Sequence, residues 1–157
     1  AEPLVRWLPR SASPLRIAAL RLFGAEIGPT CLLERGVSVL IPKNLKLTGF
    51  VAIGRNVEIY NYGRIEIGKM SVISQYAYLC TGTHDYQHPY MPLIWKPIMI
   101  GSECWIAAGA FIGPGVTIGD GVVVGARASV TRNLAAWMVY AGNPCRPIKP
   151  RVIRTLS

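Results

Sequence analysis

Long apolar runs are missing from this chain. A membrane-crossing helix needs about 18 apolar residues in a row, and no such run occurs among the 157. The charged, apolar and small-residue phases of a secretory leader are missing too. The chain begins at Ala1 rather than Met, as a trimmed chain would. Histidine is almost absent, with only two residues. They are His84 and His88, too few for a three-histidine zinc site. The four cysteines, Cys31, Cys80, Cys104 and Cys145, form no C-x-x-C pair and match no zinc spacing. We therefore expect no metal, and free buried thiols in a reducing cytoplasm. Acidic residues are scarce, 8 against 17 lysines and arginines, for a formal charge of +9. The excess suits a polyanionic ligand, such as a phosphorylated cofactor, or weak contact with a membrane surface. Nucleic acid is not expected, because no aromatic-plus-basic recognition module accompanies the charge.

What is present is a repeat. Ile100, Ile106, Ile112, Ile118, Val124 and Val130 stand six apart. The stretch reads IGSECW IAAGAF IGPGVT IGDGVV VGARAS VTRN. A helix places apolar residues three and four apart, and a strand two apart. Six fits a short strand plus a corner. The residue after each aliphatic is small: Gly101, Ala107, Gly113, Gly119, Gly125, Thr131. It is expected to allow a tight turn and close approach of the next coil. Val116, Val122 and Ala128 add a second inward residue at position five. This is the pattern of a hexapeptide parallel β-helix, an all-β solenoid. A β-sandwich would space its strands at roughly 8–12 residues.

Upstream the period persists but slips. Ile53, Ile59 and Ile65 form one series, and Ile67, Ile73 and Leu79 another, shifted by two. Ile27, Leu33, Val39, Leu45 and Val51 form a weaker first series. Bulges or widened corners are expected near 51–53 and 65–67. Half the residues are apolar and the mean hydropathy is +0.32, which suggests a buried subunit face beside the core.

The chain reads as one domain. Residues 1–26 form an N-terminal segment with a short helix. Ser13 is its expected N-cap and Pro14 sits in its first turn. Leu15, Ala18, Ala19, Leu22 and Phe23 share a face, and the helix is expected to cover the open first coil. A minor alternative is membrane contact through Arg6, Arg10, Arg16 and Arg21 around Trp7 and Leu20. The β-helix occupies 27–135. Residues 80–97, CTGTHDYQHPYMPLIWKP, break the period and read as an extruded loop, of the kind that carries function. Residues 136–157 form a basic tail.

Both histidines fall in that loop, where an imidazole is suited to proton transfer near neutral pH. Together TGTHDY, W-I-A-A, IGPGVTIGDG, VGARASVT and AGNPCRPIK resemble the hexapeptide-repeat acetyltransferases. Within that family, LRLFGAEIG, ISQYAYLCTGTHDY and AGNPCRPIKPR are similar to the sugar and exopolysaccharide O-acetyltransferases, including the colanic-acid type. The likeness runs from residue 15 to 154.

The resemblance implies a left-handed β-helix, a homotrimer with sites between subunits, acetyl-CoA as co-substrate and a saccharide acceptor. It places the general base at His84. Asn61, after one missing hexapeptide, falls where the family contacts the acceptor; its alternative reading is a corner asparagine. Asp85 stands beside His84 and could orient it or meet the acceptor. Trp105, Ala108, Ala126, Thr131, Arg132, Arg146 and Lys149 fall at cofactor positions, the last two near the phosphates. No acyl-enzyme is required, so the cysteines need not react. Two alternatives stay open: N-acetylation of an amino sugar, and a non-catalytic solenoid subunit. A γ-type carbonic anhydrase on this fold would need a third histidine.

Overall fold

The computed structural model describes residues 12–154. The chain winds as a parallel β-solenoid with three faces. Face A stacks Glu26–Ile27, Leu45–Leu47, Ile65–Ile67, Ile98–Ile100 and Thr117–Ile118. Face B stacks Leu32–Leu33, Ala52–Ile53, Val72–Ile73, Trp105–Ile106, Val123–Val124 and Met138–Ala141, and ends on the antiparallel strand Arg146–Pro150. Face C stacks Ser38–Val39, Glu58–Tyr60, Tyr78–Cys80, Phe111–Ile112 and Ser129–Val130. The six-residue aliphatics point inward and pile in columns, and Ile53, Ile73, Ile106 and Val124 have no exposed surface. Burying each such side chain is worth about 1.5–3 kcal/mol.

The frame slips are not bulges. They lie on face A, where a longer strand turns two residues inward: Leu45 with Leu47, Ile65 with Ile67, Ile98 with Ile100. Strand alternation does this without distortion. The slip at 65–67 stands where expected. The other stands at 45–47 rather than 51–53, because Val51 is a buried corner residue, not a strand residue. Early coils therefore repeat at twenty residues, Leu45 pairing with Ile65. Late coils repeat at eighteen, Ile100 pairing with Ile118.

The small residue at position two has one of its two expected roles. A Cβ on Gly119 would lie 2.6 Å from the Ala136 nitrogen of the next coil, so close approach demands glycine there. The turn itself is made at position four, where Gly115 and Gly121 take left-handed φ of 77° and 67°.

The helix, α1 (Ser13–Leu22), covers the first coil as expected, but with another face. Ser13 is inside the helix and is not its cap. Its Oγ accepts the Leu33 N–H at 2.9 Å, an edge donor with no strand beyond it. Arg21 Nη2 donates to the Ile27 carbonyl at 2.7 Å. Ser13, Arg16 and Ile17 are buried, while Leu15, Leu22 and Phe23 face out. The edge's unpaired polar groups recruited the polar residues inward, against the apolar pattern. Arg16 sits near Glu34, and its burial lowers its basicity. Arg16 therefore turns away from any membrane surface. Arg6, Trp7 and Arg10 lie outside the described residues. No helix among the described residues is long and apolar enough to cross a membrane, and all four cysteines are free.

Asn61 is also turned inward. It has no exposed surface. Its Oδ1 accepts the Ile41 N–H at 2.9 Å and its Nδ2 donates to the Ile41 carbonyl at 2.8 Å. The side-chain amide thus imitates a strand and pins two coils at the corner between faces C and A. It has no group to offer an acceptor, which corrects that assignment. Its φ is not left-handed either, since the left-handed corner position of this coil belongs to Asn56.

Asn61→Ala would strand both polar groups of Ile41, so a loss of about 2–4 kcal/mol is expected. Ile106→Ala, which leaves a void in the core column, is expected to cost about 2–5 kcal/mol. Urea unfolding of each variant measures both. A change under half a kilocalorie at Asn61 would remove its role as a coil pin.

Candidate active site

The loop at 80–97 is a structured hairpin. Cys80 still belongs to face C, paired with Tyr60. Gly82–His84 then pairs antiparallel with Leu93–Trp95, and Ile98 rejoins face A beside Ile65. The insertion leaves at the corner between faces C and A, where the Asn61 column continues as Thr81. Thr81 is buried, and its Oγ accepts the Gly63 N–H at 2.9 Å and donates to the Tyr60 carbonyl at 3.0 Å. Its own carbonyl takes the Lys96 N–H at 3.0 Å, which closes the hairpin base. The arm carrying His84 is therefore fastened to the core.

His84 is the last residue of that arm and is exposed. Its Nδ1 lies 2.6 Å from the Met91 carbonyl. A carbonyl only accepts, so in this contact Nδ1 carries a proton, and in the neutral ring the lone pair is then on Nε2. Asp85 is not the orienting group. Its Oδ1 accepts the Gln87 N–H at 3.1 Å, and its own N–H donates to the Pro92 carbonyl at 3.0 Å. Asp85 thus shapes the hairpin tip. Met91, with a φ of 40°, presents the carbonyl. No sequence signal marks a backbone oxygen seven residues away. His88 faces Tyr90 across the same tip.

The remaining candidate residues spread over face B and the two edges of face C. Thr131 and Arg132 follow the last face C strand, at the same edge as the hairpin. The chain then folds back over the end of the solenoid. Ser129 through Arg132, Leu134, and Pro144 through Arg146 line a cavity of about 280 Å³ there. Arg146 joins Thr131 and Arg132 in it; Lys149 does not, and lies exposed on the last strand opposite Val139. Ala108 and Ala126 lie at the corner between faces B and C. Trp105 is on the outer side of face B, 49% exposed, with its Nε1 donating to Ser74 Oγ at 2.9 Å. Lys149 stands in the same face B ladder as Trp105, through Val139 and Val123, whereas the hairpin with His84 leaves at the other side of face C.

Two thiols near these elements are poor nucleophiles. Cys104 is buried and its Sγ meets the Gly119 carbonyl at 3.1 Å; burial pushes the thiol above its ordinary pKa. Burial also raises Cys145, beside Arg146.

An aromatic run absent from the sequence reading lies under the hairpin. Trp95 stacks on Tyr62 with ring centroids 5.9 Å apart. Tyr62 meets Tyr60, Tyr60 meets Tyr78, and Tyr78 meets Phe111, each edge to face. The residues are scattered between 60 and 111 and converge only when the coils stack.

Residues 97–132 match the family model described as bacterial transferase hexapeptide (six repeats). The chain is 45% identical, over 93% of its length and 80% of the relative's, to WcaF of Escherichia coli (strain K12), assigned as a colanic acid biosynthesis acetyltransferase. Its fold matches a maltose O-acetyltransferase from Clostridium difficile 630 with a TM-score of 0.79 and 27% identity, over 96% of this chain and 82% of that one. It matches a galactoside acetyltransferase solved in complex with coenzyme A with a TM-score of 0.74 and 26% identity, over 93% and 74%. With the period, the three stacked faces and the extruded hairpin, these likenesses place the chain in the hexapeptide-repeat acetyltransferase family, on its colanic-acid branch.

Proposed function

We propose that the protein transfers an acetyl group from acetyl-CoA to a hydroxyl of a saccharide, with His84 as general base. The geometry of His84 carries this reading. A neutral imidazole held through Nδ1 presents a basic Nε2 at an exposed, anchored position. A sugar hydroxyl is a weak nucleophile at neutral pH, and a base within hydrogen-bond reach removes its proton during attack. The oxygen attacks the thioester carbonyl, the C–S bond breaks, and the proton passes from His84 to the departing thiolate. A backbone N–H beside the hairpin is the expected oxyanion donor. Direct transfer is favoured because neither Cys80 nor Cys104 is placed as a nucleophile. The Cys80 Sγ is spent on the Gly82 carbonyl at 3.2 Å.

The cavity at the end of the solenoid suits the phosphates of the cofactor. Thr131, Arg132 and Arg146 meet there, and arginine grips phosphate through paired N–H groups. Lys149 adds positive charge nearby. Trp105, Ala108 and Ala126 would line the pantetheine arm in a second copy. Their separation from His84 around one prism supports a homotrimer with each site between two subunits. The outer faces support it too. Face A is charged, with Arg64 bridging Glu26 at 2.8 Å and Glu66 at 2.6 Å. Face B carries an apolar column, Leu32, Ala52, Val72, Trp105, Val123 and Val139, as a subunit contact would. The names of the relatives, colanic acid biosynthesis and maltose and galactoside acetylation, support a saccharide acceptor and a role in polysaccharide biosynthesis.

Thiol release from acetyl-CoA with saccharide acceptors is expected to fall about 10²–10⁴-fold in His84→Ala; unchanged turnover removes His84 from the chemistry. Arg146→Ala is expected to raise the KM for acetyl-CoA about tenfold with kcat held, and an unmoved KM removes the end cavity from cofactor binding. Sedimentation is expected to report a trimer. Turnover of amino sugars but not of neutral sugars would replace O-transfer by N-transfer.

A further inference from the structure

The hairpin register places Trp95 on the same side as His84. In an antiparallel pair, directly opposed residues share a face, and so do residues two apart along one strand. Gly82 opposes Trp95 and His84 opposes Leu93. Gly82, His84, Leu93 and Trp95 therefore lie on one face, with Thr83 and Ile94 on the other. His84 and Trp95 are diagonal neighbours, about 7–8 Å apart in such a ladder.

Trp95 is an unusual residue for that place. It is 53% exposed, yet it is not loose. One side of its indole stacks on Tyr62, at 5.9 Å and 29°. A Cβ on Gly63 would lie 3.2 Å from the Lys96 carbonyl and 3.3 Å from the Trp95 Cδ1, so the returning arm packs closely on the bare corner beneath it. Gly82, opposite, has no side chain to cover it. A Cβ there would meet Tyr60 at 2.9 Å. Tyr62 thus backs an indole that stays partly open to solvent, one diagonal step from the imidazole. On its own face of the hairpin its neighbours are the exposed His84 and the half-buried Leu93. A flat ring open on one side, with an imidazole one diagonal step away, suits a ligand with an apolar face and polar edges.

We propose that Trp95, backed by Tyr62, is the platform on which the acceptor's sugar ring stacks. The C–H face of a pyranose lies against the indole, and its rim hydroxyls stay free. One of them then projects along the hairpin face to His84 Nε2. Trp95 is a binding and specificity residue, and it takes no part in proton transfer. This inference rests on the saccharide acetylation proposed above. It adds the recognised unit, a single pyranose ring, and the side chain that selects it.

The test uses the intact protein with methyl glucopyranoside and methyl galactopyranoside as probes. Trp95→Ala is expected to raise the KM for the accepted glycoside about tenfold, the worth of one aromatic contact. The KM for acetyl-CoA and kcat should stay within about twofold. Trp95→Phe should recover most of the loss, because a smaller ring still stacks. Saturation-transfer NMR should show the ring C–H protons of the glycoside, rather than its methyl group, in contact with His84→Ala protein, and lose that contact in the Trp95→Ala variant. Wild-type turnover that Trp95→Ala leaves unchanged overturns the platform alone. Dissociation of the assembly by Trp95→Ala makes Trp95 a subunit contact and also overturns it. Neither binding nor turnover of any glycoside by the wild type overturns the platform together with the saccharide reading.

Discussion

The structure depends on backbone hydrogen bonds that run between coils, from the N–H of one turn to the carbonyl of the next. Gly101 N–H to Ile118 and Gly119 N–H to Leu134, at 2.8 and 2.9 Å, are typical. They hold only if neighbouring coils come within strand distance at every corner. That is why position two is glycine where the coils approach most closely, as at Gly101 and Gly119, and why each inward aliphatic lands on its counterpart in the next coil. A one-residue insertion inside a strand would turn its inward side chains outward, although face A absorbs two extra residues by lengthening its strands. Extra chain can leave only at a corner, where the path already turns. The hairpin takes that exit, between faces C and A.

The same bonding leaves two open ends, and each end is closed by polar groups. At the start, Ser13 and Arg21 of α1 satisfy donors and acceptors that no coil precedes. At the finish, Arg146–Pro150 turns back antiparallel on Met138–Ala141, and Arg151 Nη1 donates to the Gly121 carbonyl at 3.0 Å. The basic tail is therefore partly structural. Arg151 is occupied with holding the end, while Arg146 lines the cavity. A charge count alone does not separate these two uses.

What the sequence made legible follows from periodicity. The solenoid, the site of the insertion and the helix over the first coil all come from regular spacing and its interruptions. Local detail that depends on the third dimension was not legible. The helix face was misjudged because apolar spacing ignores the unpaired edge it must satisfy. Asn61 was misjudged because an asparagine that imitates a peptide between coils looks, in sequence, like one that meets a ligand. The carbonyl of Met91 and the stacked pair of Tyr62 and Trp95 carry no one-dimensional pattern. The hairpin register brings the first to His84, and coil stacking brings the second together.

The spread of candidate residues over face B and the two edges of face C bears on how such a site can be built. A straight solenoid has a rigid surface but no cleft of its own, because each face is nearly flat. A long cofactor laid along one copy would be gripped on one side only. Two copies set side by side turn two flat walls into a groove. The hairpin leaves at the C–A edge, where Thr131 and Arg132 of the end cavity also stand; Ala108 and Ala126 lie along the B–C edge. Those edges flank face C, whose outer surface is lined by Tyr78 and Phe111 in edge-to-face contact. Under the proposed function, a partner that presents its own B–C edge to this hairpin would complete a groove with a base, a phosphate end and a wall. The rigidity that keeps each face flat would then fix the distance between the halves of that groove.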